Sequence, residues 1–253
     1  MPKSRKDKEM VYMGFAKRFE ERSVAYSKIG KNNLKRNSEC EDVIYVEETS
    51  EMKFWGLADG QSGKKCCRKG GKEVLKAVFR FVADKGITQM TQYEHVDELQ
   101  YELIRTIRDT ISELAATDGV EKTEYSSTLV VLACDTLTGN YVLIHLGDGG
   151  IIGQKADGGI RMLSAPENGL TANYTWLTTS SDALYHLRLS FGNVKAYSRI
   201  VMITDGATVY AYGRNITESA KHMIASGNRE ELVSFLDSSD PSDDASCIVV
   251  DFS

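Results

Sequence analysis

Apolar positions fall into two kinds of stretch along this chain. Short runs rich in β-branched and aromatic side chains predict strands at Val43–Glu47, Lys53–Ala58, Ser127–Cys134, Asn140–Leu146 and Ile151–Gln154. Further runs predict strands at Ile160–Leu163, Thr175–Thr179, Tyr185–Leu189, Arg199–Thr204 and Ala245–Phe252. The short connections Asp135–Gly139 and Ala156–Gly159 end in glycine and read as hairpin turns, so the neighbouring strands pair antiparallel. Two longer stretches carry helical spacing. About Lys69–Ala83 sets Val74, Leu75, Val78, Phe79 and Val82 on one face. About Gln92–Ala116 aligns Val96, Leu99, Leu103, Ile107, Ile111 and Leu114, with Thr91 and Glu94 in the spacing of a capping box. A third helical region covers about Thr217–Ala225, extended by Glu230–Leu236. Helices set between groups of antiparallel strands predict a single α+β domain with helices packed on sheet faces.

Composition narrows the function. The chain has 253 residues, 42% hydrophobic and 26% charged, with twelve Tyr, eight Phe and two Trp, enough apolar material for a substantial core. A net charge of −5 argues against binding nucleic acid or an anionic membrane through bulk electrostatics. The longest apolar run, Leu129–Cys134, is far shorter than the ~20 residues that cross a bilayer. The opening MPKSRKDKEM leads into no apolar segment, so a cytoplasmic protein is expected, with residues 1–20 a loosely ordered extension. Five irregularly spaced cysteines and four scattered histidines describe neither a disulfide framework nor a zinc site. Cys66 and Cys67 are expected to be structural thiols.

The candidate chemistry lies in acids at strand ends. Phe54-Trp-Gly-Leu-Ala-Asp59-Gly60 and Ile200-Val-Met-Ile-Thr-Asp205-Gly206 share one plan, an apolar strand ending in Asp-Gly. Leu143-Ile-His-Leu-Gly147-Asp148-Gly149 is a third relative, and the pairs Glu41-Asp42 and Asp243-Asp244 each precede a strand. Adjacent carboxylates repel, and a cation relieves them. Acids without accompanying His or Cys suit Mg²⁺ or Mn²⁺ better than zinc. Were the strand ends to converge, Asp42, Asp59, Asp205 and Asp243 would surround a pair of divalent ions, an arrangement suited to in-line displacement at phosphorus.

In this order, Glu41-Asp42, Asp59-Gly60-x-x-Gly63, Ser127-Thr128, Gly147-Asp148-Gly149, Thr204-Asp205-Gly206 and Asp243-Asp244-Ala245-Ser246 resemble the metal-dependent protein phosphatases of the PP2C type, over roughly Ala25 to Phe252. Ile29-Gly-Lys-Asn-Asn and the run Asn173-Tyr-Thr-Trp-Leu resemble a bacterial subgroup. The resemblance implies a four-layer αββα sandwich of two antiparallel sheets flanked by helices, carrying a phosphoserine/phosphothreonine phosphatase that uses two Mn²⁺ or Mg²⁺ ions and a third in some members. It implies that Asp59 bridges the two ions, and that the Gly60 carbonyl, Asp205 and Asp243 complete one shell. Asp42 would act near the second ion, Glu41 would hold its water, and Asp148 would sit at the third. The attacking group would be a metal-bridging hydroxide, with no phosphoenzyme. Expected partners are phosphoproteins and a cognate Ser/Thr kinase, with the chain a monomer and residues 166–197 a substrate-facing flap.

Departures from the family pattern matter equally. Ser62 stands where family members typically carry glycine, and no Ser-Arg follows Asp148. The phosphate-gripping arginine belongs at position 37, which is Asn; Arg36 is its candidate replacement, and a one-residue shift in a strand reverses the face. Either Asp243 or Asp244 fits the last motif, and the family spacing favours Asp243. These departures keep a second expectation open, a weakly active or inactive partner-binding module on the same fold. Ala58–Lys65 is a near miss to a P-loop, lacking its first glycine and final Ser or Thr. His145 is expected as a hydrogen-bonded core residue, Lys64-Lys65 and Arg68-Lys69 as a solvated helix start, and Tyr174, Trp176 and Tyr185 as sheet packing.

Overall fold

The computed structural model describes residues 10–13, 22–169 and 174–252. Its strands form two antiparallel sheets. The first contains β1 (Met10–Met13), β2 (Arg22–Lys28), β7 (Gly150–Gln154), β8 (Ile160–Ser164), β10 (Arg199–Ile203) and β11 (Ala245–Asp251), in the order β1-β2-β11-β10-β7-β8. The second contains β3 (Val43–Glu48), β4 (Met52–Ala58), β5 (Leu129–Asp135), β6 (Asn140–Leu146) and β9 (Arg188–Asn193), in the order β3-β4-β5-β6-β9. The helices are α1 (Lys31–Arg36), α2 (Cys67–Lys85), α3 (Ile87–Met90), α4 (Val96–Asp118), α5 (Ala183–His186), α6 (Asp205–Ala211), α7 (Glu218–Ser226) and α8 (Arg229–Ser239).

The unbroken apolar runs have a simple cause: the central strands are buried on both faces. Phe54 and Ala58 of β4 pack toward α2 and α4, whereas Trp55 and Leu57 point between the sheets. Leu129, Val131 and Ala133 of β5 alternate in the same way with Val130, Leu132 and Cys134. In the first sheet, Ile200, Met202, Ile248 and Val250 face the other sheet, and Val201, Ile203, Cys247 and Val249 face α6, α7 and α8. Three apolar layers therefore separate four layers of secondary structure, the expected αββα sandwich. Among the described residues, no helix is long and apolar enough to cross a membrane.

Several expectations are corrected. Thr175–Thr179 is not a strand; Thr175 makes one isolated bridge to Asn168. Tyr185 lies in the single turn α5, and the strand begins at Arg188. The capping box does not form, because the Thr91 hydroxyl donates to the Thr88 carbonyl at 2.7 Å and α4 starts at Val96. The region from Thr217 is two helices. Gly227 in the left-handed conformation ends α7, and Asn228 caps α8 by accepting from the Glu231 N–H at 2.9 Å. Of the expected N-terminal extension, Met10–Met13 is a strand paired with β2, and the rest of 1–20 lies outside the described residues. Within 166–197, Arg188–Asn193 is sheet, paired to β6, so any flap is confined to the residues before it; 170–173 lie outside the described residues.

Candidate metal centre at the strand ends

Antiparallel register brings the acids to one edge. Val43 pairs with Ala58, so Asp42 and Asp59 leave adjacent strands side by side. Ile203 lies between Gly150 on one side and Cys247 on the other, which sets Asp205 beside Asp148 and the Asp243-Asp244 pair. Carboxylate oxygens of Asp59, Asp148 and Asp205 lie within 4.8 Å of one another. Asp42 and Asp243 stand outside that trio but act on it through their charge. Two glycines permit the approach. A Cβ on Gly60 would fall 2.9 Å from the Glu41 carbonyl, and Gly147 holds φ at 107°, where other residues are strained.

Hydrogen bonds hold the acids in place. The Asp59 N–H donates to the Thr128 hydroxyl at 3.1 Å, and the Thr128 N–H returns to the Asp59 carbonyl at 2.8 Å. The Thr204 hydroxyl donates to Asp42 Oδ2 at 2.9 Å. The Arg68 guanidinium donates to the carbonyls of Cys40 (2.5 Å) and Asp42 (2.9 Å), strapping the loop before β3 to α2. Arg68 is thus an anchor, not part of a solvated helix start. Its neighbours Lys64 and Lys69 do reach solvent, in ion pairs with Glu124 and Asp118.

The electrostatics of the cluster call for a cation. Burial, reinforced by the charges of Asp244 and Asp205, pushes the Asp42 carboxyl up to about 8, against the pull of the Ser246 and Thr204 hydroxyls. Burial and then Asp148 and Asp243 raise Asp205 to about 6. Asp59 is pushed well up by burial and by Asp42, Asp205 and Asp243, and Asp148 is raised chiefly by burial. One oxygen each of Asp42, Asp148 and Asp205 is buried without a hydrogen-bond partner. Crowded, partly unpartnered carboxylates offering only oxygen fit Mg²⁺ or Mn²⁺.

The two acids of the last motif differ sharply. Asp244 is buried and accepts from the Gly30 N–H (2.7 Å), the Asn33 amide (2.8 Å) and the Glu41 N–H (2.5 Å). Asp243 is half-buried and receives the Asp244 N–H at 2.9 Å on Oδ1. Glu41 accepts from the same Asn33 amide at 3.2 Å. Asn33 and Thr204 lie in segments that carry the family resemblance but have no role assigned to them there, and Arg68 belongs to no motif. Arg36 lies on a helix, so the face reversal expected of a strand does not apply; its guanidinium donates to Ser62 Oγ at 2.7 Å.

His145 is a buried core residue, its Nδ1 accepting from Arg188 at 3.0 Å and lying 2.7 Å from the Ser164 hydroxyl. Burial and the Arg188 charge push it down to about 3, so it is a neutral imidazole. Tyr185, 82% exposed, and Tyr174 are not sheet packing, whereas Trp176 packs against the core of the second sheet as expected and also stacks on His186 with ring centroids 3.6 Å apart. His186 Nδ1 lies 2.6 Å from Glu167, which also faces Arg188, so these residues fasten the segment after β8 to itself. Cys67 is buried beneath Gly60 and donates to the Lys64 carbonyl at 3.1 Å, the structural role expected of it.

A family profile described as protein phosphatase 2C matches residues 29–237. Comparison with curated protein sequences gives no match. Among solved structures, the fold is similar to that of PppA, described as a key regulatory component of T6SS in Pseudomonas aeruginosa. That likeness has a TM-score of 0.64 and 18% identity, over 91% of this chain and 97% of that one. It is similar also to the catalytic domain of the serine threonine protein phosphatase PstP with two manganese ions (TM-score 0.63, 16% identity, 91% and 97% covered). RsbX in complex with magnesium is a third (TM-score 0.57, 12% identity, 96% and 100% covered). At these identities the structures speak for the fold.

Proposed function

Since the chain belongs to the protein phosphatase 2C family, a family of hydrolases, we propose that it is a metal-dependent protein serine/threonine phosphatase. The observation that carries the reading is the trio Asp59, Asp148 and Asp205, with carboxylate oxygens within 4.8 Å and buried unpartnered atoms on two of its members. Asp59, the Gly60 carbonyl, Asp205 and Asp243 would hold one divalent ion, with Asp59 shared by a second and Asp148 serving a third. Such ions supply Lewis acidity and lower the pKa of a bound water.

The protein's own groups do the positioning. Asp42, oriented by Thr204 through Oδ2, keeps Oδ1 available to accept from the attacking water. Glu41, oriented by Asn33, is the second acceptor beside it. Arg36, on the rim of the Asp59 loop, takes the phosphoryl oxygens. No step needs a side-chain nucleophile, so rapid quenching with labelled substrate is expected to leave the protein unlabelled. The substrates on this reading are phosphoserine and phosphothreonine proteins, among them a cognate Ser/Thr kinase, met by a cytoplasmic, bacterial-type monomer.

The test is hydrolysis of p-nitrophenyl phosphate and a phosphothreonine peptide by metal-stripped protein titrated with Mn²⁺ and Mg²⁺, beside Asp59→Ala and Asp205→Ala. Activity that requires metal and disappears in both variants supports the reading. A folded protein that binds metal and hydrolyses neither substrate would replace it with a partner-binding module.

A further inference from the structure

A guanidinium carries five N–H groups, one on Nε and two on each terminal nitrogen. In Arg36, Nε donates to the Asn32 carbonyl at 3.3 Å, and Nη2 donates both to Asn33 Oδ1 and to Ser62 Oγ, each at 2.7 Å. Three of the five are thereby committed, one on Nε and both on Nη2. Among the described residues, none takes Nη1.

The two anchors differ in kind. Asn33 is buried, and its Nδ2 donates to Asp244 at 2.8 Å and Glu41 at 3.2 Å. Two acidic acceptors around the nitrogen leave the amide oxygen as the end that meets Arg36. The i, i+3 spacing on α1 puts Arg36 above Asn33 on one helix face, whereas Asn37 turns away in the left-handed conformation that ends the helix. Position 36 thus presents its cation on the helix face that carries Asn33. The second anchor, Ser62, belongs to the loop that begins at Asp59. It is exposed and packs into no core, so its hydroxyl has no evident structural duty apart from Arg36.

We infer that Ser62 is a positioning residue for Arg36: its hydroxyl and the Asn33 amide lock the fork against the Asp59 loop and leave Nη1 as the nitrogen that meets a phosphoryl oxygen. The inference rests on the phosphatase reading for its substrate. It also unites two departures from the family pattern. The arginine displaced by one residue and the serine in place of glycine are hydrogen-bonded to each other, so each compensates the other. With glycine at 62, Arg36 would keep its contacts to Asn32 and Asn33 but lose the one that ties it to the acid-bearing loop.

A double-mutant cycle tests this, with inorganic phosphate as the probe, titrated calorimetrically onto Mn²⁺-loaded wild type, Ser62→Ala, Ser62→Thr, Arg36→Ala and the double variant. Ser62→Ala is expected to weaken phosphate about fivefold and to raise KM for p-nitrophenyl phosphate similarly, with kcat within about twofold, as suits a lost hydrogen bond to a charged group. Ser62→Thr restores the hydroxyl and most of the affinity. Arg36→Ala weakens phosphate further, and Ser62→Ala on that background changes nothing more. Wild-type affinity in Ser62→Ala, or equal losses in both backgrounds, overturns the inference. Because phosphate binding needs no turnover, a coupled cycle in a protein that hydrolyses no ester would uphold the Ser62–Arg36 pair and remove the phosphatase reading instead. Unchanged melting temperatures in all variants exclude a folding effect.

Discussion

The Thr204 hydroxyl accepts from the Ser246 N–H at 2.8 Å and donates to Asp42 Oδ2 at 2.9 Å, joining the end of β10 in one sheet to the acid that opens β3 in the other. Because the oxygen already receives an N–H, its single proton is directed at Asp42. Replacing Thr204 with Val keeps the shape and strands the buried Ser246 N–H. The expected loss of stability is about 1–3 kcal/mol in urea unfolding, with roughly a tenfold fall in Mn²⁺-supported kcat/KM. Thr204→Ser, which keeps the hydroxyl, is expected to retain most of both. Equal behaviour of the two variants would mean that the hydroxyl does not orient Asp42.

The raised acids make the stability of the metal-free protein depend on pH. The folded Asp42 carboxyl sits at about 8 against an ordinary 3.8, so the folded state binds more protons than the unfolded one. Its contribution is complete below about 4 and is lost as pH rises through 8. His145 runs the other way: folded at about 3 against 6.5, it lowers stability as pH falls below 6.5. The two effects separate above 6.5. In a chelator, the melting temperature is expected to fall between pH 6.5 and 8. Saturating Mn²⁺ replaces the protons as counter-charge and removes the decline. A flat profile in chelator would contradict the crowding of these acids.

Crowding also predicts opposite signs for stability and activity. Asp59→Asn or Asp205→Asn removes one buried negative charge from a crowded cluster, in which Asp42, Asp205 and Asp243 add to the burial that raises Asp59, and Asp148 and Asp243 to that which raises Asp205. Without metal, each variant is expected to be more stable than wild type by about 1 kcal/mol, a few degrees in melting temperature for a chain of this size. With metal, each is expected to lose at least a hundredfold in turnover, since a ligand and its charge are gone. Differential scanning calorimetry with and without Mn²⁺, beside steady-state rates, measures both. A metal-free destabilisation would assign these acids to structure.

The strands and the α+β class were legible in the sequence because the central strands are buried on both faces and form unbroken apolar runs; their stacking into a four-layer sandwich came only with the family resemblance. What escaped was local. β2 alternates weakly, with Ser23, Tyr26 and Ser27 among its residues, and α1 is a short helix, polar but for the exposed Leu34, held by Asp244 rather than by an apolar face. The first turn of α6 lay hidden behind Asp205-Gly206, which read as the end of a strand. The acids themselves were legible as residues at strand ends. Their grouping was not: the closeness of Asp148 to Asp59 and Asp205 depends on Gly150 pairing with Ile203, a register between strands about fifty residues apart. Thr204, Asn33 and Ser62 act through side-chain hydrogen bonds that reach Asp42, Asp244 and Arg36, partners distant in sequence, which no spacing announces.

That distinction bears hardest on Asp243 and Asp244, adjacent acids with the same local sequence signal. Asp244 accepts three hydrogen bonds, from Gly30, Asn33 and Glu41, and so fastens the segment leading into α1 and the loop before β3 to the start of β11. An asparagine there has one acceptor oxygen in place of two and brings an N–H₂ against donors. Asp244→Asn is therefore expected to cost about 2–4 kcal/mol in urea unfolding, metal or none, from strained or lost hydrogen bonds to a buried charge. Asp243 carries one such bond, from its neighbour's N–H, which an asparagine oxygen can also accept. Asp243→Asn is expected to keep wild-type stability within about 0.5 kcal/mol while weakening Mn²⁺ binding at least tenfold in a calorimetric titration. The reverse pattern, a fragile Asp243→Asn and a stable Asp244→Asn that has lost metal, would exchange the two roles and move the ion to the buried acid.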